Sequence, residues 1–334
     1  MIKHFYETHI SSSPHIRSAD STITIMRDVL IALMPALIGA TWLFGFRALG
    51  MAITSVLGSV FFEWLYRKLM KKNSTVHDLS AAVTGLLIAM VCPVGLPYWV
   101  LLVGDFFAIV VVKQLFGGIG KNFMNPALAA RAFMFSWPAL MTTWIKPGSR
   151  VPALLSTDPS AVDAVACATP LAALHEDLLP ADSLMDAFLG NIGGSMGETS
   201  VVLLLIGFAY LLIRRVISPR IPLVFIGTVA VLSFLFPQGG HDRLVWTGWQ
   251  LCSGGLMLGA IFMATDYVTS PVTKWGQIIF AFGCGALTIF IRYFGSYPEG
   301  VSYAILVMNT CVVLLDKIGI PKRFGVNKKG GQAK

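Results

Sequence analysis

Asp105, Arg131 and Asp266 lie within, or at the end of, long apolar runs, where an isolated charge is costly. Carboxyl oxygens suit Na⁺ or H⁺ relays inside a membrane, so Asp105 and Asp266 are candidate metal or proton ligands on an ion pathway. A structural ion pair for Asp105 and a helix-end turn for Asp266 explain these acids equally well. An arginine inside a membrane needs a partner, and Asp105 is the expected partner of Arg131.

A glycine-rich polar segment, Gly117–Ala127, separates two of the apolar runs. Asn125 and Pro126 stand where a helix would begin, and free backbone N–H groups at such a start can hold an anion. Asn122, Asn125 and Arg131 are therefore candidate ligands for a phosphate or for a ring oxygen of a redox cofactor. Glycines that serve only a tight turn and close helix packing explain the segment equally well.

Cysteine and histidine are poorly placed for metal or haem chemistry. The five cysteines form no close pair and no Cys/His set with metal-ligand spacing, and the six histidines fall in loops or near the N-terminus. The sequence also contains no GxxxxGK[ST], HExxH or GxSxG motif. These observations argue against an iron–sulfur cluster bound by this chain alone and against the usual ATPase and hydrolase mechanisms.

Apolar helices must position these residues. Of 334 residues, 55% are hydrophobic and 13% are charged, and the mean hydropathy is +0.73, too apolar for soluble domains. Runs of about 20 apolar residues predict transmembrane helices. The fold class expected is an all-α polytopic membrane protein with about ten transmembrane helices, near 29–45, 48–66, 79–96, 98–116, 125–141, 200–217, 221–237, 248–265, 275–291 and 299–316.

The basic residues orient these helices. The net charge of +8, 25 minus 17, comes from residues between apolar runs, so it indicates topology rather than nucleic-acid binding. With both termini cytoplasmic, most of the 25 basic residues lie inside, including Lys113, whereas Arg47 and Arg292 lie outside. Glu63 and Arg67, four residues apart, predict an ordinary pair on one helix surface.

This topology divides the chain into five parts. They are a cytoplasmic N-terminal arm (1–28), a first five-helix half (29–141), one long extracytoplasmic loop (142–199), a second five-helix half (200–316) and a basic cytoplasmic tail (317–334). The loop is acidic and ends in a glycine-rich run, and a loop of that length is usually functional or disordered.

The two halves carry a weak internal similarity, between Thr84–Met90 and Gly254–Ala260. If five helices repeat, the odd number makes the second copy inverted, as in many transporters. Two glycine-rich apolar helices also match by chance, so two inverted five-helix repeats and a chance match explain the similarity equally well.

Five polar segments next to apolar helices carry a resemblance to one family. They are Ser13–Arg17, Gly117–Ala127, Asp163–Leu171, Ala264–Pro271 and Tyr297–Gly300. In matching order and over essentially the whole chain, the sequence resembles the RnfD protein of the Rnf complex, the ion-translocating ferredoxin:NAD oxidoreductase. A relative of RnfD is the NqrB protein of the sodium-pumping NADH:quinone reductase, whose N-terminal region is longer, so the length favours the Rnf member.

The resemblance implies a role for Thr169. In this family, a threonine in an Asp-x-x-Ser-Gly-Ala-Thr motif is joined through its hydroxyl to the phosphate of FMN by a dedicated flavin transferase. Asp163 and Thr169 match the ends of that motif, while Ala166 and Cys167 replace its Ser and Gly. An accessible hydroxyl, small neighbours and an upstream acid suit such an attachment. The alternative is a loop threonine held in place before Pro170.

The resemblance further implies an electron-transfer subunit in a bacterial cytoplasmic membrane, in contact with lipid. Covalent FMN would relay electrons while ferredoxin:NAD⁺ oxidoreduction drives Na⁺ or H⁺ translocation. Other Rnf subunits would supply iron–sulfur clusters, a nucleotide-binding site and a second flavinylated protein, and riboflavin is a second flavin of the related quinone-reductase protein. The alternatives are a secondary transporter or channel without redox chemistry, and the quinone-reductase protein itself.

Overall fold

The computed structural model describes residues 21–148, 169–198 and 200–319, and within these ranges the chain is helical without any β-strand. A single turn of 3₁₀-helix, Val76–Asp78, joins the second and third α-helices. In chain order the α-helices are α1 (Thr22–Phe44), α2 (Phe46–Leu69), α3 (Ser80–Met90), α4 (Tyr98–Phe106), α5 (Pro126–Met134), α6 (Pro138–Met141), α7 (Pro170–His175), α8 (Leu184–Leu189), α9 (Val201–Ile213), α10 (Arg220–Leu235), α11 (Arg243–Cys252), α12 (Leu256–Leu258), α13 (Lys274–Phe294) and α14 (Val301–Leu315). Two of them continue as π-helix, α4 through Phe107–Gln114 and α12 through Gly259–Met263.

Short polar side chains start many of these helices. The first turn of α1 is closed by a capping box, in which the Thr24 N–H donates to the Ser21 hydroxyl (3.3 Å) and the Ser21 N–H donates to the Thr24 hydroxyl (2.8 Å). Asn125 precedes Pro126 in α5 and Thr169 precedes Pro170 in α7, and both side chains cap their helices. Asn-Pro and Thr-Pro therefore mark helix starts in this chain.

Among the residues that the structure describes, three helices are each long and apolar enough to cross a membrane, namely α1, α2 and α13. A fourth candidate consists of α11 and α12 with its π-helical continuation, which together meet the same criteria but are bent by 62° at their junction. Large apolar side chains such as Trp42, Leu57 and Phe294 point away from the bundle. Such outward apolar faces suit helices surrounded by lipid.

The helices pack around one contiguous apolar core, with α1 against α9, α2 against α3 and α4, and α10 against α13. Gly207 allows the closest of these approaches, because a Cβ atom there would lie 2.2 Å from the carbonyl oxygen of Ala32 in α1. Gly85 does the same for α3, where a Cβ atom would lie 2.5 Å from the carbonyl oxygen of Ser55 in α2. Small residues are typical of helix contacts in membranes for this reason.

Three of the predicted helices are interrupted. Segment 79–96 is helical only to Met90, because the following turn contains Pro93 and Pro97. Segment 125–141 divides into α5 and α6 just before Pro138. Segment 248–265 is broken between α11 and α12, where Gly254 has a positive φ of 68°.

Three basic residues near the ends of predicted spans are buried helix residues. Arg47 and Arg292 fall between predicted spans, so their placement in loops is wrong, whereas Lys113 falls within the predicted span 98–116. Arg47 lies in the first turn of α2 and donates from Nε to the Val94 carbonyl oxygen (2.8 Å). Lys113 lies near the end of the π-helix after α4, and Arg292 lies in the last turn of α13. The sequence places each near a helix end, but only the packing turns its side chain inward.

Gly207→Ala is expected to destabilise the protein, because the added methyl group meets the α1 backbone and the Phe262 ring. Overpacking of this kind typically costs about 1–3 kcal/mol, so the melting temperature of the detergent-solubilised protein should fall by several degrees. Gly227→Ala in α10 is the matched control, since a Cβ atom there meets nothing within 4 Å. Equal melting temperatures for the two variants would contradict the close approach of α1 and α9.

Candidate functional site

Thr169 is half-buried and caps the short helix α7. Its hydroxyl oxygen accepts a hydrogen bond from the Ala172 N–H (3.3 Å), and Pro170 occupies the first helical position. Helix α7 is anchored by a small apolar cluster in which Leu171 and Leu174 are buried with Trp246 and Trp249 of α11. Thr169 is thereby held at a defined place against the bundle.

Thr169 borders a cavity of about 370 Å³, which we call the Thr169 cavity. This volume lies within the usual range for small-molecule sites. The wall includes three charged side chains and three aromatic rings. The charged residues are Arg131, Glu198 and Glu299, and the aromatic residues are Phe135, Trp144 and Tyr297.

Arg131 is almost completely buried in this wall and pairs with two carboxylates. Its Nη1 lies 3.1 Å from Glu198 Oε1 and its Nη2 lies 2.9 Å from Glu299 Oε2, while Nη1 also donates to the Ser302 hydroxyl (3.0 Å). The predicted pairing of Arg131 with Asp105 is therefore wrong. Arg131 extends toward the start of α14, whereas the Asp105 carboxylate accepts its hydrogen bonds from α2.

The break between α11 and α12 forms another part of this charged region. Arg292 donates from Nη1 to the Gln250 carbonyl oxygen (2.6 Å) and from Nη2 to the Ser253 carbonyl oxygen (2.9 Å), at the end of α11. The Gly255 N–H, just before α12, donates to Glu299 Oε1 (3.0 Å). A cation thus meets the carbonyl end of one half-helix and an anion meets the N–H end of the other, as the helix dipoles favour.

Asn122, Asn125 and Asp266 border a different cavity of about 390 Å³, which we call the Asn122 cavity. Lys113 and Tyr267 also line it, but Thr169 and Arg131 do not. The Asn125 side chain accepts from the N–H groups of Ala127 (3.0 Å) and Leu128 (3.3 Å), so it occupies the helix-start donors that an anion would otherwise use. Asp266 accepts a hydrogen bond from the Thr269 hydroxyl (3.0 Å).

Asp105 lines neither of these cavities. It is completely buried, and its Oδ1 accepts hydrogen bonds from Ser55 (2.6 Å) and Ser59 (3.2 Å) of α2. Across the residues that the structure describes, no three His, Cys, Asp or Glu side chains form a metal-binding group. Asp163, Ala166 and Cys167 of the Thr169 motif lie outside the described residues.

Several charged residues near these sites were missed by the sequence analysis. Glu63 pairs with Lys113 (2.8 Å), so its predicted pairing with Arg67 is wrong, and Arg67 instead donates from Nε to Gln114 Oε1 (3.1 Å). Glu299 had a signal, because it belongs to the polar segment Tyr297–Gly300. The sequence analysis included Glu198 only among the acids of the predicted loop, and nothing in the sequence indicates that it pairs with Arg131.

Comparison with known proteins identifies the family. The model of the NQR2, RnfD, RnfE family matches residues 9–325. The chain is 46% identical to the D subunit of the Na⁺-translocating ferredoxin:NAD⁺ oxidoreductase complex of Acetobacterium woodii, over 97% of this chain and 98% of the relative. It is 43% identical to the D subunit of the proton-translocating ferredoxin:NAD⁺ oxidoreductase complex of Clostridium ljungdahlii, over 96% of each chain.

A third relative, the D subunit of the ion-translocating oxidoreductase complex of Stutzerimonas stutzeri, is 38% identical over 92% of this chain and 93% of its own length. The family model therefore covers Thr169 and the residues that border both cavities. It also agrees with the resemblance that the polar segments indicated. On this evidence the chain belongs to the NQR2, RnfD, RnfE family.

Proposed function

We propose that the chain is the electron-transfer subunit of a membrane-bound, ion-translocating ferredoxin:NAD⁺ oxidoreductase complex, with FMN attached covalently to Thr169. The names of relatives that match nearly the whole chain support the complex, and the long apolar helices together with the bacterial source of the relatives support a location in a bacterial membrane. The observation that carries the flavin assignment is a threonine hydroxyl at the edge of a ligand-sized cavity with a buried arginine and aromatic walls.

The residues around the Thr169 cavity fit a flavin nucleotide. Phe135, Trp144 and Tyr297 offer apolar faces to a planar ring system, and the polar groups of Arg131 and Glu299 in the same wall suit its polar edge. In this wall Arg131 Nε is buried and has no hydrogen-bonding partner among the described residues. Buried polar atoms normally have such a partner, so a polar ligand suits this wall.

In this proposal the chain binds, orients and shields the flavin, while bound FMN supplies the capacity to take up and release electrons one at a time. A phosphoester between Thr169 Oγ1 and the FMN phosphate would tether the cofactor at the start of α7. A flavin transferase would form it by displacing the leaving group of an activated flavin nucleotide, with loss of the Thr169 hydroxyl proton. Glu198 and Glu299 hold the Arg131 guanidinium in place, so its position is set before the ligand arrives.

The Asn122 cavity is the second cofactor site of the proposal, for riboflavin held without a covalent bond. Riboflavin carries no phosphate, so its site needs apolar surface and amide or hydroxyl partners rather than a cluster of positive charges. The wall is mainly apolar and includes Asn122, Thr84 and Thr265. The helix-start donors already bonded to Asn125 are not required for an uncharged ligand.

Ten transmembrane spans in two inverted halves, with both termini cytoplasmic, complete the proposed architecture. The two cavities support it, because each is bordered by residues at or just before the start of the first helix of one half and by a polar segment before a fifth helix. For the Asn122 cavity these are the first turns of α1 and the segment before α5, and for the Thr169 cavity they are Glu198 and the segment 297–299 before α14. An inverted repeat places such equivalent sites at opposite membrane faces.

Other subunits complete the path of electrons between ferredoxin and NAD⁺. The proposal assigns the iron–sulfur clusters, the nucleotide-binding site and a second covalently bound flavin to those partners. The described residues of this chain contribute instead the Thr169 cavity, the Asn122 cavity and the buried ionisable side chains of the bundle. Its share of the activity is to carry electrons and to couple their passage to the movement of Na⁺ or H⁺.

Thr169→Val is expected to abolish covalent flavin, because valine keeps the side-chain size but removes the only atom that can form the phosphoester. The protein would be purified from its own host with the transferase present, and flavin fluorescence would be read from a denaturing gel. Losing the α7 cap should cost only about 1 kcal/mol, so the band should keep its intensity by protein stain.

Thr142→Val is the matched control, since Thr142 lines the same cavity and donates its hydroxyl to the Pro138 carbonyl oxygen (2.9 Å). It should fluoresce as wild type does, and Thr169→Ser should retain fluorescence if the transferase accepts serine. A dark wild-type band would contradict covalent FMN and favour a transporter without redox chemistry.

Asn122→Leu is expected to reduce the non-covalent flavin, because it removes an amide partner from the Asn122 cavity. Flavin would be released from the purified protein by acid and identified by mass. The control is Asn73→Leu, because Asn73 is exposed and lies outside that cavity. Covalent fluorescence should be unchanged in both variants, and riboflavin at wild-type stoichiometry in Asn122→Leu would contradict the assignment.

A further inference from the structure

One face of α2 carries a line of buried polar side chains. Ser55, Ser59 and Glu63 follow one another at intervals of four residues, and each is at most 1% exposed. With 3.6 residues per turn, this spacing places them along one side of the helix over about 12 Å. They face Asp105 of α4 and Lys113 of its π-helical continuation, which are also buried.

At the middle of this line, Asp105 is surrounded by oxygen atoms. Its Oδ1 accepts from the hydroxyl groups of Ser55 (2.6 Å) and Ser59 (3.2 Å), and the Ser55 hydroxyl also lies 2.7 Å from the Gly85 carbonyl oxygen. The second carboxyl oxygen, Oδ2, is buried and makes no hydrogen bond with the described residues. No basic side chain among those residues forms an ion pair with Asp105.

A bare carboxylate in such a place is too costly to persist, so it must carry a proton or bind a cation. Two glycines leave room beside these oxygen atoms. A Cβ atom at Gly58 would lie 3.0 Å from Asp105 Oδ2, and one at Gly85 would lie 2.9 Å from the Ser59 hydroxyl oxygen. One carboxylate, two hydroxyls and a backbone carbonyl are all hard oxygen ligands, which suit Na⁺.

At the end of the line toward Arg67, a protein cation already occupies an oxygen-lined position. Lys113 Nζ lies 2.8 Å from Glu63 Oε2 and 2.6 Å from the Ser80 hydroxyl oxygen. The Thr75 hydroxyl donates to the other oxygen of Glu63. The ammonium group therefore closes this end of the polar line, and it also borders the Asn122 cavity.

We infer that Asp105, Ser55, Ser59 and the Gly85 carbonyl oxygen form a binding site for the translocated monovalent cation within the bundle. The Glu63–Lys113 pair separates this site from the end of α2 that carries Arg67. The inference rests on the proposed function, because it names the place where this chain holds the ion that the complex moves. The cation is Na⁺ held by the four oxygen donors, or H⁺ carried by the Asp105 carboxyl.

The test uses the whole complex, purified from the native host and reconstituted into liposomes, with ferredoxin-driven NAD⁺ reduction and uptake of radioactive sodium measured together. Asp105→Asn should lower the number of ions moved per electron severalfold while the covalent flavin band on the gel is unchanged. Ser55→Ala should raise the Na⁺ concentration for half-maximal activity roughly tenfold, as expected for one lost ligand. Ser55→Thr, which keeps the hydroxyl, should restore the wild-type value.

Ser233→Ala is the matched control, because Ser233 is also a completely buried helix serine, but its hydroxyl only donates to carbonyl oxygens of its own helix, at 2.8 Å for Val229. It should leave the ion-to-electron ratio and the Na⁺ dependence at wild-type values. If the ion is H⁺, activity should not depend on Na⁺, and Asp105→Asn should abolish ionophore-sensitive proton movement. Should Asp105→Asn fail to assemble, the Na⁺ dependence of Ser55→Ala compared with that of Ser55→Thr tests the Na⁺ site. Proton movement in Asp105→Glu compared with that in Ser233→Ala then tests proton transfer at Asp105.

Wild-type ion-to-electron ratios and Na⁺ dependence in both Asp105→Asn and Ser55→Ala would overturn the cation site. That result, obtained with flavin fluorescence present, would leave the proposed electron-transfer function intact. A dark wild-type band would instead remove the flavin proposal, whatever the behaviour of Asp105. The two failures are therefore distinguishable in one set of preparations.

Discussion

Full charges in an apolar helix bundle must find opposite charges or several hydrogen bonds, because neither lipid nor a packed core can solvate them. Arg131 meets this constraint through Glu198 and Glu299, which precede α9 and α14 and are far from it in sequence. The pairs join α5 to both segments at one wall of the Thr169 cavity. Removing Arg131 would leave two buried carboxylates without their ion-pair partner, so this wall depends on the three residues together.

The same constraint accounts for the broken helix between α11 and α12. A break exposes carbonyl oxygens at one end and N–H groups at the other, and here Arg292 and Glu299 bond them. Glu299 therefore bonds both the broken helix and Arg131. The backbone of the break and the charged wall of the cavity share one side chain, which links the geometry of α12 to the site that we propose for FMN.

The buried charges are also distributed between separate places. Arg131, Glu198 and Glu299 border the Thr169 cavity, Lys113 and Asp266 border the Asn122 cavity, and Asp105 lies in the packed region between α2, α3 and α4. In the proposed function these places hold a covalent flavin, a second flavin and a cation. Helices α1 to α5 contribute residues to all three places.

The sequence by itself indicated the long apolar helices and the family, but not α7 and α8, which lie within the predicted loop 142–199. Apolar runs are local signals, and Asn125 before Pro126 caps α5 through contacts within a few residues, so these features need no tertiary information. Only the tertiary structure decided which charges meet. Arg131 bonds Glu299 rather than Asp105, and Glu63 bonds Lys113 rather than Arg67, because ion pairs join residues that packing brings together from distant parts of the chain. The four-residue spacing of Ser55, Ser59 and Glu63 was present in the sequence, but only the packing of α4 against α2 shows that Asp105 accepts hydrogen bonds from both serines.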